Sequence, residues 1–222
     1  MKVCVVTCTG KRPELFALCR KWVERQTVKP DHWLVVTDDG DQPDVPDWAD
    51  SIKIEKTPPT QNIDIAPNTS LATTLRLVPA GHAVVVFEDD DWYRADHIAI
   101  CMREIEKGHL VTYSCEVWQY HIPLSRWRTH QRPGASEGRV GLHPDGVSEY
   151  ADHLLDRPLW SGPTDGRYSE VTSVGIKGVG YGLPGRPGAS LCHHSAFWPR
   201  DPQHAKRREW LGEDATDDTN LL

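Results

Sequence analysis

The chain has 222 residues, 38% hydrophobic and 26% charged, which suits one generous domain and excludes wholesale disorder. Its 25 basic and 32 acidic side chains leave a net charge of −7, so no uniform basic field exists and any nucleic-acid contact must be local. No run of about 18 apolar residues is present, and the opening MKVCVVTCTGKRP breaks at Gly10 before a signal-peptide core is complete; a soluble, cytoplasmic protein is expected.

The first predicted strand is the β-branched run at 3–6, which ends in the polar turn Thr7-Cys8-Thr9-Gly10. Pro13 then opens a helix whose apolar positions Leu15, Phe16, Leu18, Cys19, Trp22 and Val23 recur at helical spacing up to Gln26. A second strand at 33–36 runs into Asp38-Asp39-Gly40, completing a βαβ unit with acids at the strand's carboxyl end. A third strand is expected at 52–54, a loop over 57–67, and a helix capped by Asn68 or Ser70 that runs toward Pro79. The run Ala83-Val84-Val85-Val86-Phe87 is the clearest strand, and Glu88-Asp89-Asp90-Asp91 follow it at once. Beyond Asp96 the pattern predicts a helix through Ile105 and one strand over 110–120. Residues 126–146 carry Arg126, Arg128, Arg132 and Arg139 with Trp127 among them, and six glycines between 175 and 188 suggest a loop rather than an element interior.

Six cysteines form no CxxC pair, which fits free thiols in a reducing compartment and no zinc ribbon. Gly180-Tyr181-Gly182-Leu183-Pro184-Gly185 spells GxGxxG, but no clear strand precedes it and Pro184 interrupts the helix a dinucleotide site needs. Cys192-His193-His194 lacks a partner pair at zinc-ligand spacing.

Chemistry concentrates at the strand ends. Four consecutive carboxylates after a buried strand repel one another unless a cation or a retained proton offsets them. An all-oxygen donor set favours Mg²⁺ or Mn²⁺, and such ions usually share their shell with substrate phosphates. A nucleotide or sugar diphosphate is therefore the expected substrate, with the metal neutralising the departing diphosphate. Asp38 and Asp39 suit a base N–H or ribose hydroxyls, or form a turn before Gly40.

VVTCTGKRP, WLVVTDDG, VVVFEDDDWY and the late WLGEDATDD, in that order, resemble the signatures of GT-A fold glycosyltransferases of the family 2 type. The resemblance spans residues 3–97 well and 189–218 loosely. It implies an α/β, GT-A-like (Rossmann-like) single domain with a mostly parallel central sheet. Residues 1–97 would be the nucleotide-sugar-binding half and 98–222 the acceptor-binding half. It further implies Thr7, Thr9 and Arg12 at the nucleotide, Asp39 with Asp38 at the base, and Glu88 with Asp89 near the ribose. Asp90 would be the principal metal ligand with Asp91 flanking, and His194 would complete the shell or else line the acceptor wall. Asp214, with Glu213 as second choice, would be the base that takes the acceptor's proton. The chain departs from the pattern in having glutamate at the first DXD position, and Thr73-Thr74 near the place where Arg-Asn is often found.

The compact chain also resembles phage-encoded glycosyltransferases, some of which act on 5-hydroxymethylpyrimidines in DNA. That resemblance implies a UDP-sugar donor and DNA containing 5-hydroxymethylcytosine or 5-hydroxymethyluracil as acceptor, with no membrane partner. Arg126, Arg128 and Arg132 would hold phosphates and Trp127 would stack on an extruded base. The same arginines equally suit the donor diphosphate or surface acids. A saccharide or protein acceptor is the alternative within enzymes, and a non-catalytic carbohydrate- or nucleic-acid-binding module the alternative outside them.

Overall fold

The computed structural model describes residues 1–10, 12–37, 42–54, 66–121, 125–131, 140–156, 166–177, 199–212 and 214. The strands in chain order are β1 (Lys2–Thr9), β2 (His32–Thr37), β3 (Ala49–Lys53), β4 (His82–Val86), β5 (Asp91–Tyr93), β6 (Val111–Ser114), β7 (Glu116–His121), β8 (Arg126–Gln131), β9 (Val140–Leu142), β10 (Gly166–Tyr168) and β11 (Ser173–Lys177). The helices are α1 (Pro13–Glu24), α2 (Ala66–Leu75), α3 (His97–Ile105), α4 (Val147–Asp156) and α5 (Ala205–Leu211).

Seven strands form a large sheet in the order β10-β6-β9-β4-β1-β2-β3. The run β4-β1-β2-β3 is parallel throughout, β10 is parallel to β6, and β9 lies antiparallel between β4 and β6. Parallel strands are covered on both faces, which is why β1, β2 and β4 read as continuous apolar runs. Their alternate residues feed two cores. Val3, Val5, Trp33, Val35 and Val85 pack with α1 and α3 on one face, while Cys4, Val6, Leu34, Val36 and Val84 pack with α2 and α4 on the other. Each such fully buried aliphatic side chain stabilises the fold by roughly 1.5–3 kcal/mol.

Helix α1 follows its sequence pattern. Pro13 sits in the first turn, Glu14 and Lys21 match the helix dipole, and Leu15, Phe16, Cys19, Trp22 and Val23 face the sheet. Buried Gln26 stitches the end of α1 to the start of α3: its amide NH₂ donates to Trp22 O and Arg94 O (2.9 and 2.8 Å), and its Oε1 accepts from Ile98 N (3.1 Å). This holds the segment after β5 along the helix.

A second sheet, in the order β5-β11-β7-β8, stands beside the first. It accounts for two departures from the sequence reading. The single strand expected over 110–120 is two strands in different sheets, parted at Ser114-Cys115, where the Ser114 hydroxyl donates to Glu116 O and Glu170 O (2.9 and 3.0 Å). Gly175, expected in a loop, lies inside β11 between β5 and β7. Among the described residues, no helix is long and apolar enough to cross a membrane.

Candidate functional site

Strands β2 and β4 flank β1, so the chain reverses its direction of travel across the sheet between β1 and β4. In open α/β sheets the crevice at the carboxyl ends of such a pair is the usual ligand site. Thr9 ends β1 there, and Phe87 leads from β4 into the acidic turn. The N–H of Glu88 donates to the Tyr93 hydroxyl (2.7 Å), and the Tyr93 ring stacks on Phe87 at 4.1 Å. The turn therefore rests on a buried aromatic floor.

The four acids divide into three and one. Glu88, Asp90 and Asp91 each bring a carboxylate oxygen within 4.8 Å of the others. Three anionic oxygens so close favour a bound cation, and the all-oxygen donor set fits Mg²⁺ or Mn²⁺. Asp89 turns the other way and is 1% exposed. It accepts from the Thr9 hydroxyl (2.6 Å) and pairs with Arg12 (2.8 Å). Burial pushes its pKa up to about 6, against the opposing pull of Arg12.

Two expectations change here. Asp89, expected near the ribose, uses both carboxylate oxygens within the protein, tying the end of β4 to the end of β1 and the start of α1. Thr7, expected at the nucleotide, is fully buried and accepts from Trp33 Nε1 (3.0 Å). Thr9 and Arg12 stand at the crevice, bonded to Asp89. Asp38, Asp39, Arg132, His194 and Glu213 lie outside the described residues. Thr37, which precedes the aspartate pair, is aligned with Thr9 across β1 and β2.

The second sheet sorts the remaining candidates by face, because successive strand residues point to opposite sides while paired residues share one. Asp91 pairs with Gly175, Gly175 with Gln119, and Gln119 with Arg128. That row and Arg126, two residues from Arg128, belong to the face of the acidic turn. Trp92, Val174, Trp118 and Trp127 belong to the opposite face, under α5. There Trp210 meets Trp118 at 4.4 Å and Trp127 edge-on at 5.6 Å, and Lys206 Nζ lies 5.4 Å from the Trp127 ring centre. Arg126 and Arg128 thus share the face of Asp91, three strands away, whereas Trp127, expected to stack on a base between them, packs against Trp210 on the other face.

Asp214 is also on the far face. Its carboxylate accepts from Trp92 Nε1 (2.8 Å) and pairs with Lys21 (3.0 Å) and Arg25. Lys21 and Arg25 stand roughly 12 and 18 Å along the α1 axis from Pro13, away from the helix end that carries Arg12. Burial works to raise the Asp214 pKa, but hydrogen bonds from Trp92, Arg25 and Lys21 outweigh it and hold the group below the usual carboxylate range. Asp214, expected as the base, lies two residues beyond Gly212, which ends α5, and its bonds tie that end to α1 and Trp92.

Gln119, Tyr93 and Trp92 were not singled out by the sequence. The Arg-Trp-Arg alternation at 126–128 was the one signal that a strand presents the arginines on one face and the tryptophan on the other. A cavity of about 480 Å³ lined by Arg103, Lys107, Cys115, Arg167 and Glu170 includes no residue of the acidic turn.

No family model and no curated protein matches the chain. Solved structures do. Staphylococcus aureus TarS superposes with a TM-score of 0.52 at 11% identity, covering 79% of this chain and 37% of that one. TarS residues 1–349 in complex with UDP-GlcNAc superpose with a TM-score of 0.51 at 11% identity, covering 84% of this chain and 62% of that one. The chain has a GT-A-like fold. It spans between 37% and 62% of the length of these TarS chains, and at such identity the likeness concerns the fold alone. Among the described residues, three clustered carboxylates occur at the acidic turn, at the end of β4.

Proposed function

We propose that the protein is a glycosyltransferase that moves a sugar from a nucleotide-sugar donor, a UDP-sugar by preference, to an acceptor hydroxyl. The observation that carries this is the convergence of Glu88, Asp90 and Asp91 at the crevice between β1 and β4. Support comes from the fold, shared with a protein solved in complex with UDP-GlcNAc.

Glu88, Asp90 and Asp91 would hold Mn²⁺ or Mg²⁺, which supplies charge neutralisation at the diphosphate as the bond to the sugar breaks. Asp89, with Thr9 and Arg12, keeps the turn in the crevice. Asp38 and Asp39 are assigned to the nucleoside and His194 to the metal shell, on the family resemblance. Residues 1–97 would bind the donor and 98–222 shape the acceptor site. Arg126 and Arg128, on the face of Asp91, support an anionic acceptor, and we propose DNA carrying 5-hydroxymethylcytosine or 5-hydroxymethyluracil as the first candidate.

The test is incubation with a panel of sugar nucleotides and Mn²⁺, with and without hydroxymethylated DNA, followed by mass spectrometry of the nucleosides. A sugar-sized increment on the base is the expected result. Donor cleavage without base modification would contradict the DNA acceptor and direct the search to saccharides or proteins, and no donor cleavage under any condition would contradict the enzyme reading.

A further inference from the structure

The acidic turn is pinned at its first residue by a side chain from the strand that follows it. The backbone N–H of Glu88 donates to the Tyr93 hydroxyl at 2.7 Å. The turn's own closing contact, from Asp91 N to Glu88 O, is 3.4 Å, beyond the usual upper limit of about 3.2 Å for an N–H···O bond. Glu88, Asp90 and Asp91 meanwhile bring carboxylate oxygens within 4.8 Å of one another, and like charges so close push the turn apart whenever no cation lies between them. The short bond to Tyr93 opposes that push.

The hydroxyl is itself held in place. Tyr93 is fully buried; its ring stacks on Phe87 at 4.1 Å and meets His97 at 4.9 Å, and its carbonyl accepts from Arg25 Nη2 at 2.6 Å. Phe87 in turn donates its N–H to Val6 O at 2.8 Å, so the support reaches back to β1. A phenylalanine would fill the same space with the same ring. A buried phenol costs free energy unless it is hydrogen-bonded, and the partner here is the main chain of Glu88. Asp91 and Tyr93, two residues apart in β5, share a face. One short strand thus carries one of the clustered carboxylates and the hydroxyl that fixes another.

Resting on the metal-dependent reading, we propose that Tyr93 is a positioning residue for the ion site: its hydroxyl sets the spacing of the Glu88, Asp90 and Asp91 carboxylates before the ion arrives. It acts through the main chain of Glu88 and not on the reacting atoms. Removing a group that orients metal ligands in this way costs about 10- to 100-fold in metal affinity.

Tyr93→Phe removes the hydroxyl and keeps the ring. Tyr120→Phe is the control, since it removes a fully buried hydroxyl that donates to Asp201 Oδ2 (3.1 Å) on the opposite face of the second sheet. Mn²⁺ is titrated into each full chain, alone and with UDP, with the free ion read by electron paramagnetic resonance, and melts in EDTA report stability. Both variants are expected to melt below the wild type, but only Tyr93→Phe should bind Mn²⁺ about 10- to 100-fold more weakly. In turnover it should need more Mn²⁺ and approach the wild-type kcat once the ion saturates; a kcat that stays low at saturating ion contradicts a role confined to positioning. Wild-type Mn²⁺ affinity in folded Tyr93→Phe, or equal weakening in both variants, overturns this proposal alone. If Tyr93→Phe does not fold, hydrogen exchange on the wild type decides: a Glu88 N–H protected in EDTA supports the proposal, and one that exchanges freely until Mg²⁺ is added overturns it. No Mn²⁺ binding by the wild type, with or without UDP, overturns the functional reading and this proposal with it.

Discussion

Replacing Asp214 separates an anchor from a base. In Asp214→Ala three donors lose an acceptor. Lys21 is 46% exposed, so its pair is worth only about 0–1 kcal/mol after solvent screening. The indole N–H of Trp92, on a residue 8% exposed, is left without its carboxylate at a cost of about 1–3 kcal/mol. Arg25, 27% exposed, keeps its bond to Tyr93 O (2.6 Å) and loses one ion pair, adding about 1 kcal/mol. The sum, about 2–5 kcal/mol, lowers the melting temperature of a domain this size by roughly 4–20 °C. Asp214→Asn, which keeps one acceptor for Trp92, costs about half as much. The carboxyl is held below its ordinary value of 3.8. Its contribution is thus fully present above that value and is lost as pH falls through the lower folded-state pKa. Thermal melts from pH 3 to 8 check this, and the gap between wild type and Asp214→Asn is expected to be flat above about pH 5 and to close in acid. Two results refute the reasoning: Asp214→Ala melting with the wild type at neutral pH, or Asp214→Asn with wild-type stability and donor affinity whose turnover collapses. The second would restore the base.

Asp89 titrates in the opposite sense. Its pKa is raised from 3.8 to about 6, so in EDTA the stability it contributes is full below pH 3.8 and is lost as pH rises through 6, a change on the order of 3 kcal/mol; Asp89→Asn should remove that slope from urea melts. A Cβ at Gly141 would meet Thr112 Oγ1 at 2.5 Å and Cys101 Cβ at 2.9 Å, so Gly141→Ala should cost about 1–3 kcal/mol in chemical denaturation. Trp127→Ala should cost roughly 2–4 kcal/mol through lost packing on Trp210 and leave oligonucleotide affinity unchanged, whereas Arg126→Ala should weaken that affinity and flatten its salt dependence; equal loss in both would place Trp127 in the acceptor site.

The first half of the chain was legible because its strands are buried on both faces and its helix α1 carries an uninterrupted apolar stripe. β1, α1, β2 and β4 appear within a few residues of the runs that predicted them. The acidic turn was legible for the same reason, since four charges end the apolar run Val-Val-Val-Phe abruptly. What sequence periodicity lacked was the direction of each side chain in the turn. Nothing in Glu-Asp-Asp-Asp distinguishes Asp89, which faces Arg12, from its neighbours, which face the crevice. The second half was less readable because its strands are short and change sheets: β6 and β7 run on as one alternating segment, and β11 hides in a glycine-rich stretch. Asp214 read as a base from the ED pair, but its partners Lys21, Arg25 and Trp92 come from distant positions that only the fold assembles.

Turnover of a UDP-sugar by the wild type and by Asp90→Ala, each with EDTA, Mg²⁺ or Mn²⁺, tests the central claim most directly. The account expects turnover that requires the ion in the wild type and falls at least about 100-fold in Asp90→Ala, with both proteins melting at similar temperatures. Full activity in EDTA, or in a folded Asp90→Ala, would contradict it.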